Sequence, residues 1–175
     1  VIFGSGGFRQ NQQMMHELSG HPYFGGCAAV TNEGDLLRIA SSVNARLGML
    51  HSVWRNQSVF EQAIAAPAGY NCTWFLNGDS FLIVNKYGKR FVNEKNSYQD
   101  RPKGHFDWDT TNGEYRNLYG FAVWDSRLQQ NWGGRFPWPV DPATAPHVVI
   151  GETLEDLAAK IGERFESLKA YTGNS

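Results

Sequence analysis

The run Phe81-Leu-Ile-Val-Asn-Lys-Tyr-Gly-Lys-Arg-Phe-Val-Asn-Glu-Lys-Asn-Ser-Tyr-Gln-Asp-Arg101 sets the architecture expected of this chain. Phe81–Asn85 opens with four apolar residues and reads as a strand. Lys86-Tyr87-Gly88-Lys89 supplies a tight turn, and Arg90–Val92 a second short extended run. Together they predict a β-hairpin. The polar loop behind it carries Asn93, Glu94, Tyr98, Asp100 and Arg101, as a rigid scaffold presents site residues on a connecting segment.

Upstream, Val1–Phe3 is a short apolar run that ends in the flexible Gly4-Ser5-Gly6-Gly7 turn. Met14, Met15 and Leu18 make an apolar stripe that predicts a helix near residues 11–18. Asp35 opens a second helix, because Leu36, Ile39, Ala40, Val43 and Leu47 recur at helical spacing, and Gly48 is its expected end. Val53–Phe60 reads as extended, Ala63–Gly69 as loop and Cys72–Leu76 as strand.

Downstream, Pro102–Asn117 reads as a long polar loop, of the kind that in compact domains tends to be functional. Tyr119–Trp124 is a further strand, followed by a short helix at Ser126–Gln130. His147–Ile150 reads as a short strand. Thr153-Leu-Glu-Asp starts the strongest helix, with Leu154, Leu157, Ala158, Ile161, Phe165 and Leu168 on one face. Strands and helices do not alternate regularly. The expected class is therefore α+β, a small mostly antiparallel sheet with flanking helices in a single domain over residues 1–175. The chain begins without Met, in strand pattern, and closes directly after a helix, so it is expected to be a fragment of a longer one.

With 41% hydrophobic and 14% aromatic residues the chain can bury a core. A net charge of −1 gives no basic footprint for nucleic acid. No apolar run reaches the length of a membrane span. Cys27 and Cys72 are too few for a disulfide framework, and nothing in the sequence pairs them. The sequons at Asn56 and Asn71 read as chance matches, and the default compartment is cytoplasmic.

Several groups carry chemistry on paper. Gly4-Ser-Gly-Gly-Phe8 follows an apolar run but lacks the spacing of a dinucleotide fingerprint or a P-loop, so a plain turn competes with a phosphate cradle. His105, Asp107 and Asp109 alternate as metal ligands in a strand would. No further His or Cys pair supports them, and aspartates in loops commonly bond their own backbone, so no metal is expected. Cys27 with His21 is a nucleophile–base pairing that nothing orders. Tyr98 differs: a phenol beside cations such as Arg101 and Arg90 is favoured in its ionised form and can act as a base. A surface loop with an Asp100–Arg101 ion pair is the competing reading.

Four blocks taken together resemble a known family. Val1-Ile-Phe-Gly-Ser-Gly-Gly-Phe8 is similar to the run returning from the FAD domain in fumarate reductase-type flavoproteins. Gly34-Asp35-Leu-Leu-Arg-Ile-Ala with Ala45-Arg-Leu-Gly-Met-Leu50 resembles that family's helix. Ile83-Val-Asn-Lys-Tyr-Gly-Lys-Arg-Phe-Val-Asn-Glu94 matches its hairpin nearly letter for letter, and Glu152-Thr-Leu-Glu-Asp-Leu-Ala158 its helix start.

The resemblance implies the substrate-capping domain of an FAD-dependent fumarate reductase/3-ketosteroid dehydrogenase-type oxidoreductase. It would face a small-molecule substrate and partner an FAD-binding domain of the same polypeptide. It implies Tyr98 as the proton-transfer residue, standing where fumarate reductases carry Arg. That tilts the expectation towards α,β-dehydrogenation or enone reduction of a ketone. Arg101 and Arg90 would position or tune, and Asn93 and Glu94 would fix the loop. Gly6 and Gly7 would contact FAD only in the full-length protein, and this fragment alone is expected neither to retain FAD nor to turn over substrate. A fumarate/succinate-type reductase cap is one alternative. A non-catalytic domain binding small ligands through Trp108, Tyr115, Trp132 and Trp138 is another.

Overall fold

The computed structural model describes residues 2–68 and 72–169. Val1 of the opening run, Gly69, the Asn71 sequon and the last residues of the chain lie outside them. The protein divides into two compact units, Val1–Cys72 and Thr73–Ser175.

In the first unit, α1 (Gln12–Ser19) starts where Asn11 can cap it, its side chain accepting from the Met14 N–H at 2.9 Å. Gly20, in the left-handed region at φ 68°, closes it. Helix α2 (Asp35–Ser42) is shorter than the periodicity predicts. Asn44 takes φ 53°, the Asn44 N–H donates to Ser41 O, and the Ala45 N–H donates to Ala40 O. That is a Schellman termination with asparagine in the left-handed position, and it stops the helix before Leu47.

Helix α3 (Phe60–Ala65) forms across the predicted boundary between extended run and loop. The expectation of a loop from Ala63 is corrected: Ala63 is fully buried, packed so closely on Gly25 that a Cβ there would meet its Cβ at 2.7 Å. Phe24 and Phe60 meet edge to face beside it. Cys27 and Cys72 form a disulfide, which corrects the expectation that they are unpaired and leaves Cys27 no thiol to act as a nucleophile. Cys72 makes a single bridge to Ser58.

The second unit is built on β1 (Phe81–Val84), which begins where the sequence places it. Behind it a helical 3₁₀ segment, Arg101–Phe106, leads into β2 (Trp108–Asp109) and β3 (Glu114–Tyr115), a small hairpin inside the predicted polar loop. The Asp109 carboxylate folds its turn, accepting from the Thr111 and Asn112 N–H groups at 2.9 and 3.2 Å. Strand β4 (Phe121–Trp124) and α4 (Ser126–Trp132) follow as expected. Asp125 caps α4, its carboxylate accepting from the Leu128 N–H at 3.0 Å. Helix α5 (Leu154–Leu168) starts at Thr153, whose hydroxyl accepts from the Asp156 N–H while Asp156 accepts from the Glu152 N–H. No strand forms at 147–150.

The predicted partner of β1 is also corrected. Strand β1 pairs antiparallel with β4, Phe81 opposite Trp124 and Val84 opposite Phe121, while Arg90 makes only one bridge, to Val84. The Asn85 side chain rounds the turn by accepting from the Tyr87 and Lys89 N–H groups, with Gly88 at φ 70°. Its amide donates to Asn117 at 2.8 Å. Ile83, Tyr119, Leu128, Trp138 and Leu168 form the buried apolar set. Trp138 packs on Phe81 and Trp124, which places one of the four aromatics considered for a pocket in the core instead. The chain is α+β with a small antiparallel sheet, as the sequence predicts.

The segment after Cys72 is not a strand, because its carbonyls are taken by side chains rather than a neighbouring strand. Arg101 takes Thr73 and Trp74. Lys95 takes Leu76 and Gly78, and the Trp138 indole donates to Asn77 O at 3.0 Å.

Candidate active site

Glu94 is 4% exposed. Its carboxylate accepts from the Ile83 N–H at 2.8 Å and from Arg90 Nε at 3.0 Å. It thereby occupies the edge of β1 that the second run of the predicted hairpin was expected to pair. Burial opposes ionisation of Glu94, but the Arg90 guanidinium and the Ile83 N–H outweigh it and hold the carboxyl below its ordinary value.

From there the loop is a chain of turns. The Asn93 side chain accepts from the Lys95 N–H, the Asn96 N–H donates to Asn93 O, and the Asp100 and Arg101 N–H groups both donate to Ser97 O. Asp100 pairs with Lys103 at 2.6 Å rather than with Arg101.

Arg101 is 1% exposed. Its guanidinium points inward, donating to the Thr73 and Trp74 carbonyls, and burial lowers its pKa from the ordinary arginine value. Tyr98 lies three residues before it, on the same turn. Its ring meets the Trp74 indole edge to face, centroids 4.8 Å apart at 77°. Trp74 is 42% exposed and Phe75 76% exposed, so this corner presents aromatic surface outward.

The candidate residues therefore fall into two groups. Glu94 and Arg90 secure the loop to β1, and Asn93 shapes its first turn. Tyr98 and Arg101 join it to the Thr73–Trp74 segment. Sequence reasoning missed Trp74 and Lys95; the adjacent Trp74-Phe75 pair, two apolar rings in a run that also carries Asn77-Gly78-Asp79, was the available signal.

His105 is half-buried, its Nδ1 3.1 Å from Leu118 O, with Phe91 edge-on to the ring. Asp107 and Asp109 instead face Arg116. Among the described residues, no three His, Cys, Asp or Glu side chains gather where a metal ion could share them. Nor, among them, is any helix long and apolar enough to cross a membrane.

Gly6 and Gly7 belong to the first unit, where they lie in an exposed irregular segment. Gly6 sits at φ 76° against Asn32, and Gly7 O accepts from the Gly34 N–H at 3.0 Å. A flavin pyrophosphate is held by open N–H groups at a helix start behind a glycine turn. Here the start of α1 is closed by its own Asn11 cap. At α1, the helix that follows these glycines in sequence, no such open start is offered.

No family model matches the chain. Individual proteins do. It is 29% identical over 172 residues to a 4-oxocyclohexanecarboxylate 2-dehydrogenase of Sinomonas cyclohexanicum, covering 97% of this chain and 30% of that protein. It is 28% identical over 175 residues to a 3-oxosteroid 1-dehydrogenase of Mycolicibacterium smegmatis, covering 93% and 29%. A 4-oxocyclohex-2-ene-1-carboxylate 5-dehydrogenase of Sinomonas cyclohexanicum is 26% identical over 178 residues, covering 93% and 29%. The chain is homologous to a segment of these dehydrogenases. It spans less than a third of the length of each. The resemblance to 3-ketosteroid dehydrogenase-type proteins thus extends from the four blocks to nearly the whole chain.

Proposed function

We propose that this chain is the substrate-capping part of a longer flavin-dependent dehydrogenase, acting on a cyclic ketone and introducing a carbon–carbon double bond next to the carbonyl. The observation that carries the proposal is Tyr98, set beside exposed aromatic surface in a chain related along its length to proteins named for 3-oxosteroids and 4-oxocyclohexanecarboxylate. Tyr98, reacting as its phenolate, takes the proton from the carbon adjacent to the ketone, and the next carbon of the ring gives up a hydride as the double bond forms between the two. A flavin, bound by parts of the longer protein beyond this chain, supplies the two-electron acceptor. The cap excludes water from the reacting carbons.

The fumarate-type alternative needs cations to hold a dicarboxylate. Both arginines of this segment are engaged, Arg90 by Glu94 and Arg101 by main-chain carbonyls, which favours a cyclic ketone over a dicarboxylate. In the intact, flavin-loaded protein, Tyr98→Phe is expected to lower turnover of a cyclic ketone roughly 10²- to 10⁴-fold, with the flavin absorbance retained. Near-normal turnover in that variant would overturn the assignment.

A further inference from the structure

Tyr98 does not reach its corner alone. Its ring rests on Trp74, and three residues later Arg101 reaches back through the interior to the carbonyl of that same Trp74, at 3.1 Å, and to that of Thr73. The contacts close a circuit: Tyr98 to Arg101 along the backbone turn anchored on Ser97 O, Arg101 to Trp74 through the guanidinium, Trp74 to Tyr98 through the rings. Lys95 and Trp138 hold the far end of the same segment at Leu76, Asn77 and Gly78.

A tyrosine on a surface turn has free rotation about two side-chain bonds. Edge-to-face contact with a larger ring restricts it, because the positive edge of one ring seeks the negative face of the other. A proton-transfer group loses rate steeply when its reacting atom is displaced by an ångström.

We propose that Trp74 is a positioning residue for Tyr98, fixing the orientation of the phenol, and that Arg101 fixes Trp74 in turn. This rests on the proton-transfer role given to Tyr98 above. Arg101 thereby acts on the site through the main chain of another segment and not by facing the substrate.

The test uses the intact flavin-loaded protein with fluorotyrosine incorporated, the Tyr98 fluorine line being assigned by its loss in Tyr98→Phe. Trp74→Leu is expected to shift and narrow that line and to lower kcat roughly 10- to 100-fold, with KM changed less than about threefold. Trp74→Phe, which keeps a ring edge, is expected to restore most of both. Arg101→Met is expected to move the same line in the direction of Trp74→Leu, read by the spectrum even if turnover is lost through poor folding.

An unchanged Tyr98 line in Trp74→Leu overturns the proposal. So does a raised KM with kcat intact, which would make Trp74 a substrate contact. Loss of turnover in Tyr98→Phe together with normal kcat in Trp74→Leu sinks this inference and spares the role of Tyr98. Normal turnover in Tyr98→Phe with the line still responding to Trp74 removes the proton-transfer role while leaving the ring contact standing.

Discussion

The two ends of the loop after β1 use polar residues in opposite ways. At its start, Glu94 is buried and spent on the backbone, a carboxylate serving as the strand partner of Ile83. At its end, Arg101 is equally buried and equally spent on carbonyls, yet the turn it belongs to lifts Tyr98 against an exposed indole. The charged groups that look most catalytic in the sequence are the ones the main chain consumes. The group proposed for the chemistry is instead a phenol in an aromatic setting. A buried charge is tolerated when hydrogen bonds compensate its lost hydration, so charge at such a place reports on architecture before it reports on catalysis.

That contrast can be broken most forcefully at Glu94. Glu94→Ala leaves the Ile83 N–H buried without an acceptor, a loss of about 1–3 kcal/mol for that group alone, and frees the loop from β1. Glu94→Gln keeps a carbonyl oxygen for Ile83 and gives up only the ion pair with Arg90, which is half exposed and screened by solvent. The expectation for urea unfolding is a large drop in midpoint for alanine and a small one for glutamine. Equal drops would mean that the ion pair, not the strand-edge bond, is what Glu94 contributes.

Acid sharpens the same contrast without mutation. Burial lowers the His105 pKa, against the pull of the Leu118 and Asn117 carbonyls that raise it. The unfolded chain therefore binds a proton near the ordinary histidine value of about 6.5, while the folded chain does not. The contribution of His105 is complete above that pH and declines as pH falls below it. Glu94 has the opposite charge type but the same direction: its folded carboxyl is held low, so its stabilisation is present above the unfolded value and disappears as pH falls through the folded one. Stability measured against pH should fall in two steps, histidine first. His105→Gln should flatten the upper step and leave the lower one in place. An upper step that survives that substitution assigns it to another group.

How much of this was open to sequence depends on whether an interaction is local. Asn11, Thr153 and Asp125 cap helices three residues away, and all three helix starts fall where propensity and pattern place them. The apolar run Phe81–Val84 had to be a strand. Its partner did not follow, because choosing between residues 90–92 and 121–124 depends on where the Glu94 carboxylate goes, and that is a tertiary choice. The run from Thr73 failed as a strand for the same reason, its carbonyls being claimed by Arg101, Lys95 and Trp138 from far along the chain. At the site, Tyr98 was legible as a residue type in a loop. Trp74, 24 positions earlier, becomes its neighbour only after folding.

The smallest effect is expected at Asn44, another polar residue whose work is done for the backbone. It holds φ 53° at the end of α2, where the two reverse hydrogen bonds to Ala40 and Ser41 close the helix. Asparagine tolerates that region, but glycine enters it without a Cβ clash. Glycine also gains more freedom in the unfolded chain, which offsets part of the benefit. Asn44→Gly should therefore be neutral or raise stability by no more than about 1 kcal/mol. Asn44→Ala should lower it by about 1–2 kcal/mol, the cost of a Cβ in the left-handed region. Thermal midpoints of the three proteins rank them. If alanine proves as stable as asparagine, α2 does not end in a left-handed cap, and its apolar stripe runs on to Leu47 as the periodicity alone would have it.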